Sequence, residues 1–209
     1  MDTLYALSNN HVFADCNHVP VGQPIISPSG PDSRPNLPPP RQICAHSEIV
    51  ELRSGTPALV SPCLADLAIA EIPDGQVVSS WQGDTDGGYD TPHVPADLAT
   101  GLEVKKWGRT TRLTRGIMQS VQITTSIPYD GQHFRALVWL RGAWTVESIN
   151  EEAFALPGDS GSLVVTADGK KAVGILFAVA AKGRIAFVIP IDRVLQSFGG
   201  INLVSKHGV

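Results

Sequence analysis

The chain has 209 residues, a length that fits one larger unit or two small domains and can bury a sizeable hydrophobic core. Sixteen Lys plus Arg against 20 Asp plus Glu give a formal net charge of −4. No strongly basic surface is implied, so nucleic acid is not expected as a partner. Hydrophobic residues make up 43% of the chain, with Val, Ile and Ala in short runs, and this composition favours many short strands.

The sequence also bears on membranes and on the cellular compartment. No stretch reaches the ~18 apolar residues of a membrane span, and no positively charged segment followed by an apolar one stands at the start. Three cysteines, an odd number, leave at least one thiol unpaired, which favours a reducing compartment over a disulfide framework. We therefore expect a cytoplasmic protein with no membrane partner, unless a segment with an export signal precedes Met1.

The first half of the chain reads as short strands interrupted by a long loop. An apolar run at residues 4–7 predicts a strand, and three polar residues separate it from His11. Residues 20–40 contain eight prolines. Because proline cannot donate to a sheet ladder, we predict an inserted surface loop there. The remaining expectations for this half are strands at residues 43–52 and 64–72 and a loop at residues 83–90.

The second half reads as seven strands followed by one helix. Turn signals such as Asp130-Gly131 and Asp168-Gly169 separate several of the strands. A helix is predicted over residues 192–198, ended by two glycines. Strands at this spacing with a single terminal helix favour a barrel or a sandwich. The predicted strands are residues 102–107, 116–126, 133–141, 144–148, 162–166, 172–179 and 185–189.

A candidate nucleophile, Ser160, lies in the string Pro157-Gly158-Asp159-Ser160-Gly161, directly before an apolar strand. The two glycines allow backbone angles that a β-carbon would penalise, so successive N–H groups can converge in front of the Ser160 hydroxyl. Such converging donors form an oxyanion hole. The same string is also found as an ordinary polar turn, so it indicates catalysis only together with suitable partners.

Two upstream residues are suitable partners. His11 follows the first predicted strand, and Asp66 stands at the entrance of an apolar strand, where a carboxylate needs a partner. A serine nucleophile needs a base such as histidine, and the base needs a carboxylate that fixes its tautomer and stabilises the imidazolium. Singly, each residue also has an ordinary structural explanation: a histidine at a strand end, a turn or cap carboxylate, a turn serine.

Five stretches, in this chain order, resemble the trypsin-like serine peptidases of the chymotrypsin fold, in particular their bacterial and HtrA-like branch. They are residues 8–12 (SNNHV), 66–70 (DLAIA), 107–111 (WGRTT), 157–162 (PGDSGS) and 186–195 (AFVIPIDRVL). The resemblance covers most of the chain. It implies an all-β fold of two six-stranded-type antiparallel β-barrels with a short C-terminal helix. Residues 1–95 would form the first barrel and residues 102–199 the second.

The same resemblance implies a serine endopeptidase acting on polypeptides without a cofactor. In it, Ser160 attacks the peptide carbonyl, His11 transfers the proton and Asp66 orients His11, while the N–H groups of Gly158 and Ser160 form the oxyanion hole. The first specificity pocket would be walled by five residues with no anionic side chain, which disfavours cleavage after Arg or Lys and favours a small or medium apolar residue. These residues are Phe154, Phe177, Ala178, Val179 and Ala186.

One departure from the family concerns the start of the chain. Only three residues precede the run at residues 4–7, where the family has one or two more strands. We therefore expect an N-terminally incomplete first barrel with an exposed sheet edge. The missing strand would come from upstream of Met1 or from a strand-donating partner, or residues 20–40 would fold back. This leaves a second function open, a catalytically inactive or partner-activated peptidase-like module that binds peptides along residues 177–179.

Two Cys-x-His pairs, Cys16 with His18 and Cys44 with His46, combine the thiolate and imidazole ligands that zinc prefers. Side chains at i and i+2 of a strand share a face. However, the spacing matches no standard zinc finger, and free thiols or a Cys–Cys bridge explain the residues better than a zinc site. We therefore expect no metal.

Overall fold

The computed structural model describes residues 3–36, 38–58, 60–84, 86–131 and 133–209, with the backbone only for residues 120–122. Within these ranges the chain is mostly β-strand. The strands are β1 (Tyr5–Ser8), β2 (Pro24–Ser27), β3 (Arg41–Ile49), β4 (Ala68–Glu71), β5 (Trp81–Gln82), β6 (Tyr89–Asp90), β7 (Glu103–Gly108), β8 (Arg112–Asp130), β9 (Arg135–Ser148), β10 (Leu163–Thr166), β11 (Ala172–Ala180) and β12 (Ile185–Pro190). The α-helices are α1 (Asn10–Phe13) and α2 (Ile191–Ser197).

The second half of the chain forms a closed antiparallel barrel of six strands, in the order β10-β11-β12-β9-β8-β7. Alternate residues of these strands face inward, as the period of two along a strand requires. Val104, Met118, Val146 and Val188 are each completely buried in its core. The expected all-β fold and the short C-terminal helix, here α2, are confirmed.

One prediction in this half was wrong in detail. Residues 133–141 and 144–148 were expected as two strands, but residues 135–148 form the single strand β9. The interruption is at Gly142, which has a φ of +71°. The pairing register with β8 shifts at this point and then resumes with Ala143 opposite Ile123. A glycine here therefore bends the ladder without ending it.

The first half forms an open sheet of four strands in the order β1-β4-β3-β2. Strand β2 comes from the proline-rich residues 20–40, which were expected to be an inserted loop. These residues do fold back, and Pro24 to Ser27 pair with Ala45 to Arg41 at the edge of β3. Proline is tolerated in β2 because an edge strand leaves one side without ladder hydrogen bonds. Strand β1 forms the other edge.

A second layer over this sheet comes from the other half of the chain. Strands β8 and β9 continue beyond their own barrel as a long hairpin, called the arm below (residues 123–131 and 133–141). The arm bridges to the first half where Val138 pairs with Ser54 and Leu140 with Cys63. The N–H of Cys63 donates to the carbonyl of Trp139 at 2.7 Å.

The arm and the first sheet share one hydrophobic core. Val138 (0% exposed) and Leu140 (1%) from the arm pack in the same cluster as Leu52, Leu67 and Ile69. An open sheet has an apolar face that must be buried against another layer. In this chain the arm provides that layer, so the first half depends on a segment more than 50 residues further along the sequence.

This arrangement predicts that truncating the arm's buried face destabilises the first half. Leu140→Ala should lower the free energy of unfolding by about 2–5 kcal/mol, because the buried side chain leaves a cavity. Hydrogen exchange should also become faster for the amides of β3 and β4. The matched control is Leu137→Ala, since Leu137 lies on the same arm but is 46% exposed. Equal effects of the two changes in urea unfolding would contradict the role assigned to the arm.

Candidate active site

The structure brings His11 and Asp66 together. His11 lies in α1 directly after β1, Asp66 lies just before β4, and these two strands are neighbours with Ser8 opposite Ala68. The Nδ1 atom of His11 lies 2.5 Å from Oδ2 of Asp66, and the His11 N–H donates to Oδ1 at 3.2 Å. An ionised carboxylate only accepts hydrogen bonds, so the imidazole carries its proton on Nδ1 and leaves Nε2 free to accept another.

The two side chains of this pair differ in burial. The Asp66 side chain is fully buried, whereas that of His11 is 23% exposed. A buried carboxylate needs hydrogen-bond donors, and a base needs access to its substrate. The pair therefore has the burial pattern of an orienting acid and a reachable base.

Two asparagines that sequence reasoning did not single out hold the segment around His11 in place. The Asn9 amide donates to the Asp66 carbonyl at 2.8 Å, and the Asn10 amide donates to the Val50 carbonyl at 2.8 Å. The side chain of Asn10 also exchanges hydrogen bonds with Asn17, which follows α1. Asn9 and Asn10 are completely buried. The signal in the sequence was their position between two apolar runs, where an amide requires partners.

The segment that carries Ser160 lies against the end of β1. The Gly161 N–H donates to the Leu176 carbonyl at 2.9 Å. A β-carbon on Gly161 would collide with the Ser8 hydroxyl and lie 3.5 Å from Ser8 Cα, three residues before His11. Only glycine allows this approach. Ser160 is half-buried there, and within the described part of the chain no hydrogen bond joins its hydroxyl to His11.

The backbone before Ser160 has two unused donors. Gly158 has a φ of +100°, and a β-carbon there would lie 2.5 Å from the Thr110 hydroxyl. The Asp159 N–H donates to the Leu156 carbonyl at 3.0 Å. Among the described residues, by contrast, the N–H groups of Gly158 and Ser160 have no acceptor. Two free N–H groups next to a serine are what an oxyanion site requires.

The loop is held from below by Asp159, which is 1% exposed. Its carboxylate accepts hydrogen bonds from the N–H groups of Thr110 at 2.7 Å and Leu156 at 2.9 Å, and from the Thr111 hydroxyl at 2.7 Å. The ammonium of Lys106, fully buried, lies 3.6 Å from the same carboxylate. Asp159 thereby ties the turn after β7 to the Ser160 loop.

Burial and the polar contacts of Asp159 and Lys106 act in opposite directions on the pKa values of these two groups. Burial opposes ionisation of Asp159, but the bonds from Leu156 and Thr111 and the charge of Lys106 hold its pKa below the usual value. Burial lowers the pKa of Lys106, and the Asp159 charge counteracts this. The sequence carried a signal for Lys106: it alternates with Val104 and Gly108 on the inward face of β7, where a lysine needs a partner.

The residues expected to wall the specificity pocket fall into two groups. Phe154 and Ala186 are completely buried in the core of the second barrel, and Val179 packs against them. Phe177, 2% exposed, and Ala178 pack instead with a cluster that joins the first sheet and the arm to residues of β10, β11, β12 and α2.

The strand that carries Ala178 and Val179 has an open edge. On one side, these residues pair with Phe187 and Ala186 of β12. On the other side, strand β10 pairs with β11 only as far as Ile175. The described strands leave this second edge unpaired beyond the Ser160 loop, and an extended peptide can add there as a further strand.

The residues of the zinc candidate are not assembled into a site. Cys16 and Cys44 are buried free thiols, and burial raises their pKa to about 12 and about 11, so both stay protonated. His46 is buried, whereas His18 is exposed on the loop after α1. In the described ranges, no three potential metal ligands lie close enough to share an ion.

The described part of the chain contains no helix with the length and hydrophobicity needed to cross a bilayer.

Comparison with known proteins supports the fold. No protein-family model matches the sequence, and no curated protein matches it. Solved structures do match. A protease from Nocardiopsis has a TM-score of 0.63 at 16% identity, with 96% of this chain and 85% of that chain covered. Thermobifida fusca protease A has a TM-score of 0.61 at 19% identity, covering 98% and 86%.

A third structure, a glutamic acid specific serine protease described as using a histidine triad in substrate binding, has a TM-score of 0.61 at 18% identity, covering 96% of this chain and 86% of that chain. All three are serine proteases, and the likeness extends over nearly the whole chain. This chain therefore has the chymotrypsin fold, as the resemblance of its sequence motifs implied.

The Lys106–Asp159 pair generates a prediction. Lys106→Met should lower the free energy of unfolding by about 3–5 kcal/mol near neutral pH, because it leaves a buried carboxylate without its cation. The pKa of Asp159 is lowered by folding, so its ionised form contributes stability above the unfolded-state pKa of about 4 and loses it as the pH falls further. The penalty of the substitution should therefore shrink below about pH 4 in denaturant titrations.

The neighbouring Lys105→Met is the matched control, because the Lys105 ammonium lies over the Tyr89 ring at 5.3 Å and not beside Asp159. A pH-independent penalty for Lys106→Met, or one no larger than that of Lys105→Met, would contradict the assigned pairing.

Proposed function

We propose that this protein is a serine endopeptidase that hydrolyses peptide bonds through an acyl-enzyme, with His11, Asp66 and Ser160 as its catalytic triad. The observation that carries the proposal is the buried Asp66 carboxylate, which is hydrogen-bonded to both Nδ1 and the main-chain N–H of His11. A fold that contains many serine proteases, and a serine loop with two unused N–H donors beside β1, support the same function.

In the proposed mechanism, Ser160 Oγ attacks the peptide carbonyl while His11 Nε2 takes its proton. Asp66 stabilises the imidazolium that forms, and the N–H groups of Gly158 and Ser160 bind the oxyanion, each donor lowering the barrier by about 3 kcal/mol. His11 then returns the proton to the leaving amine. A water molecule, with His11 again taking the proton, attacks the acyl-enzyme and releases the acyl group from Ser160. The Ser160–His11 hydrogen bond forms in the substrate complex, where catalytic hydrogen bonds tighten.

The proposed substrate is an extended polypeptide that pairs with the open edge at Ala178 and Val179. Its side chain before the cleaved bond would lie beside Ala178 and Val179, which are half-buried and uncharged. A charged side chain would lose its hydration there without gaining a partner, so a small or medium apolar residue is favoured.

A fluorophosphonate probe tests the proposal directly. The wild-type protein should be labelled on Ser160, and Ser160→Ala should abolish labelling, because only an activated serine attacks the probe at a useful rate. Ser162→Ala is the matched control, since Ser162 lies in the same loop but donates its hydroxyl to the Asp159 carbonyl at 2.6 Å. Well-folded wild-type protein that resists labelling would contradict the enzyme and favour an inactive peptide-binding module.

A second prediction concerns the base and its orienting acid. His11→Ala and Asp66→Asn should each reduce kcat on a peptide library by on the order of 10⁴-fold or more, because Ser160 then lacks a correctly oriented base. If Asp66→Asn retained full kcat in a folded protein, Asp66 would be a structural carboxylate only.

A further inference from the structure

The Asp66 carboxylate has a third hydrogen-bond partner, and it comes from the arm. The hydroxyl of Tyr129 donates to Oδ2 of Asp66 at 2.7 Å, across 63 residues of sequence. Tyr129 is 7% exposed, and the centre of its ring lies 5.5 Å from that of His11. The same hairpin that covers the first sheet therefore also contacts both members of the His11–Asp66 pair.

We propose that Tyr129 is a positioning residue for the catalytic base, acting through Asp66 and delivered by the arm. This inference rests on the proposed peptidase function. Tyr129 is buried in the core shared by the arm and the first sheet, so it touches no substrate. Its hydroxyl acts on the carboxylate that orients His11.

Among the described residues, three donors hold this carboxylate. Oδ1 accepts from the His11 N–H, while Oδ2 is shared between His11 Nδ1 and the Tyr129 hydroxyl. A fully buried carboxylate with unfilled acceptor positions would be costly and free to rotate. The Tyr129 hydroxyl fills one of those positions and, because its own ring is packed in the core, fixes the plane of the carboxylate.

The direction of the hydrogen bond does not change with pH. Burial, together with the charge of Asp66, raises the pKa of Tyr129 well above its usual value. The Tyr129 phenol therefore stays protonated, and remains a hydrogen-bond donor, over the pH range in which serine peptidases are active. The Tyr129 hydroxyl also draws electron density from Asp66 Oδ2. The hydrogen bond from His11 Nδ1 to the same oxygen is therefore weaker than it would be without Tyr129.

The test compares two buried tyrosines. Tyr129→Phe should lower kcat by about 10- to 100-fold, the effect of one hydrogen bond to a charged group, while KM stays unchanged. The matched control is Tyr89→Phe. Tyr89 is 5% exposed, donates to the Leu163 carbonyl at 2.7 Å and accepts from the Trp107 N–H at 2.9 Å, but it contacts neither His11 nor Asp66. The Tyr89→Phe variant should lose about as much stability as Tyr129→Phe and keep the wild-type kcat.

A spectroscopic readout separates positioning from general destabilisation and requires no activity. In proton NMR, Tyr129→Phe should move the His11 Nδ1–H resonance downfield, because Oδ2 then accepts from His11 alone. Replacement of Tyr129 by 3-fluorotyrosine keeps the ring and strengthens the donor, so the same resonance should move upfield. This second variant serves as the test if Tyr129→Phe does not fold.

The outcomes are distinct. An unmoved His11 resonance in the folded variants, or a kcat loss in Tyr89→Phe equal to that in Tyr129→Phe, would overturn the positioning role. If the wild-type protein cleaves no peptide while the resonance shifts as expected, the peptidase proposal fails and the structural contact through Asp66 stands.

Discussion

Asp66 is a carboxylate buried completely inside a β-protein, and much of the architecture can be understood as the supply of donors to it. The main-chain and side-chain N–H groups of His11 come from the helix after β1, and the Tyr129 hydroxyl comes from the arm. Without these bonds the charge would have to be neutralised or the segment would open to water. The hydrogen bonds to the buried Asp66 carboxylate thus link His11, near the start of the chain, to Tyr129 in its middle.

A second buried carboxylate, Asp159, organises the loop that carries Ser160. Asp159 collects N–H donors from two segments and faces the ammonium of Lys106, so the loop with Ser160 is held from beneath. In both places a buried carboxylate positions a partly exposed group: Asp66 positions His11, and Asp159 positions the loop with Ser160. Well-satisfied polar networks of this kind restrict the backbone to one arrangement, which is the property that a catalytic geometry requires.

Two other segments of the chain support the sheet of the first half. Strand β2, from the proline-rich segment, extends the sheet at β3, and the arm covers its apolar face. Among the described strands, β1 pairs only with β4 and forms the other edge of this sheet. The arm has two roles, because the residues that fill the core of the first half and the tyrosine that contacts Asp66 lie on the same hairpin.

Much of this protein was determined by local sequence. Alternating apolar residues and glycine-containing turns predicted most strands of the second barrel and the C-terminal helix, because periodicity and turn chemistry depend only on near neighbours. The motif order also indicated His11, Asp66 and Ser160. Tertiary structure alone decided that β9 continues through Gly142, that the proline-rich segment pairs with β3, and that Tyr129 and Lys106 meet their carboxylates. The pairing of the proline-rich segment and the contacts of Tyr129 and Lys106 join residues that are tens of positions apart. No local pattern shows which distant donor will satisfy a buried charge, because that depends on packing.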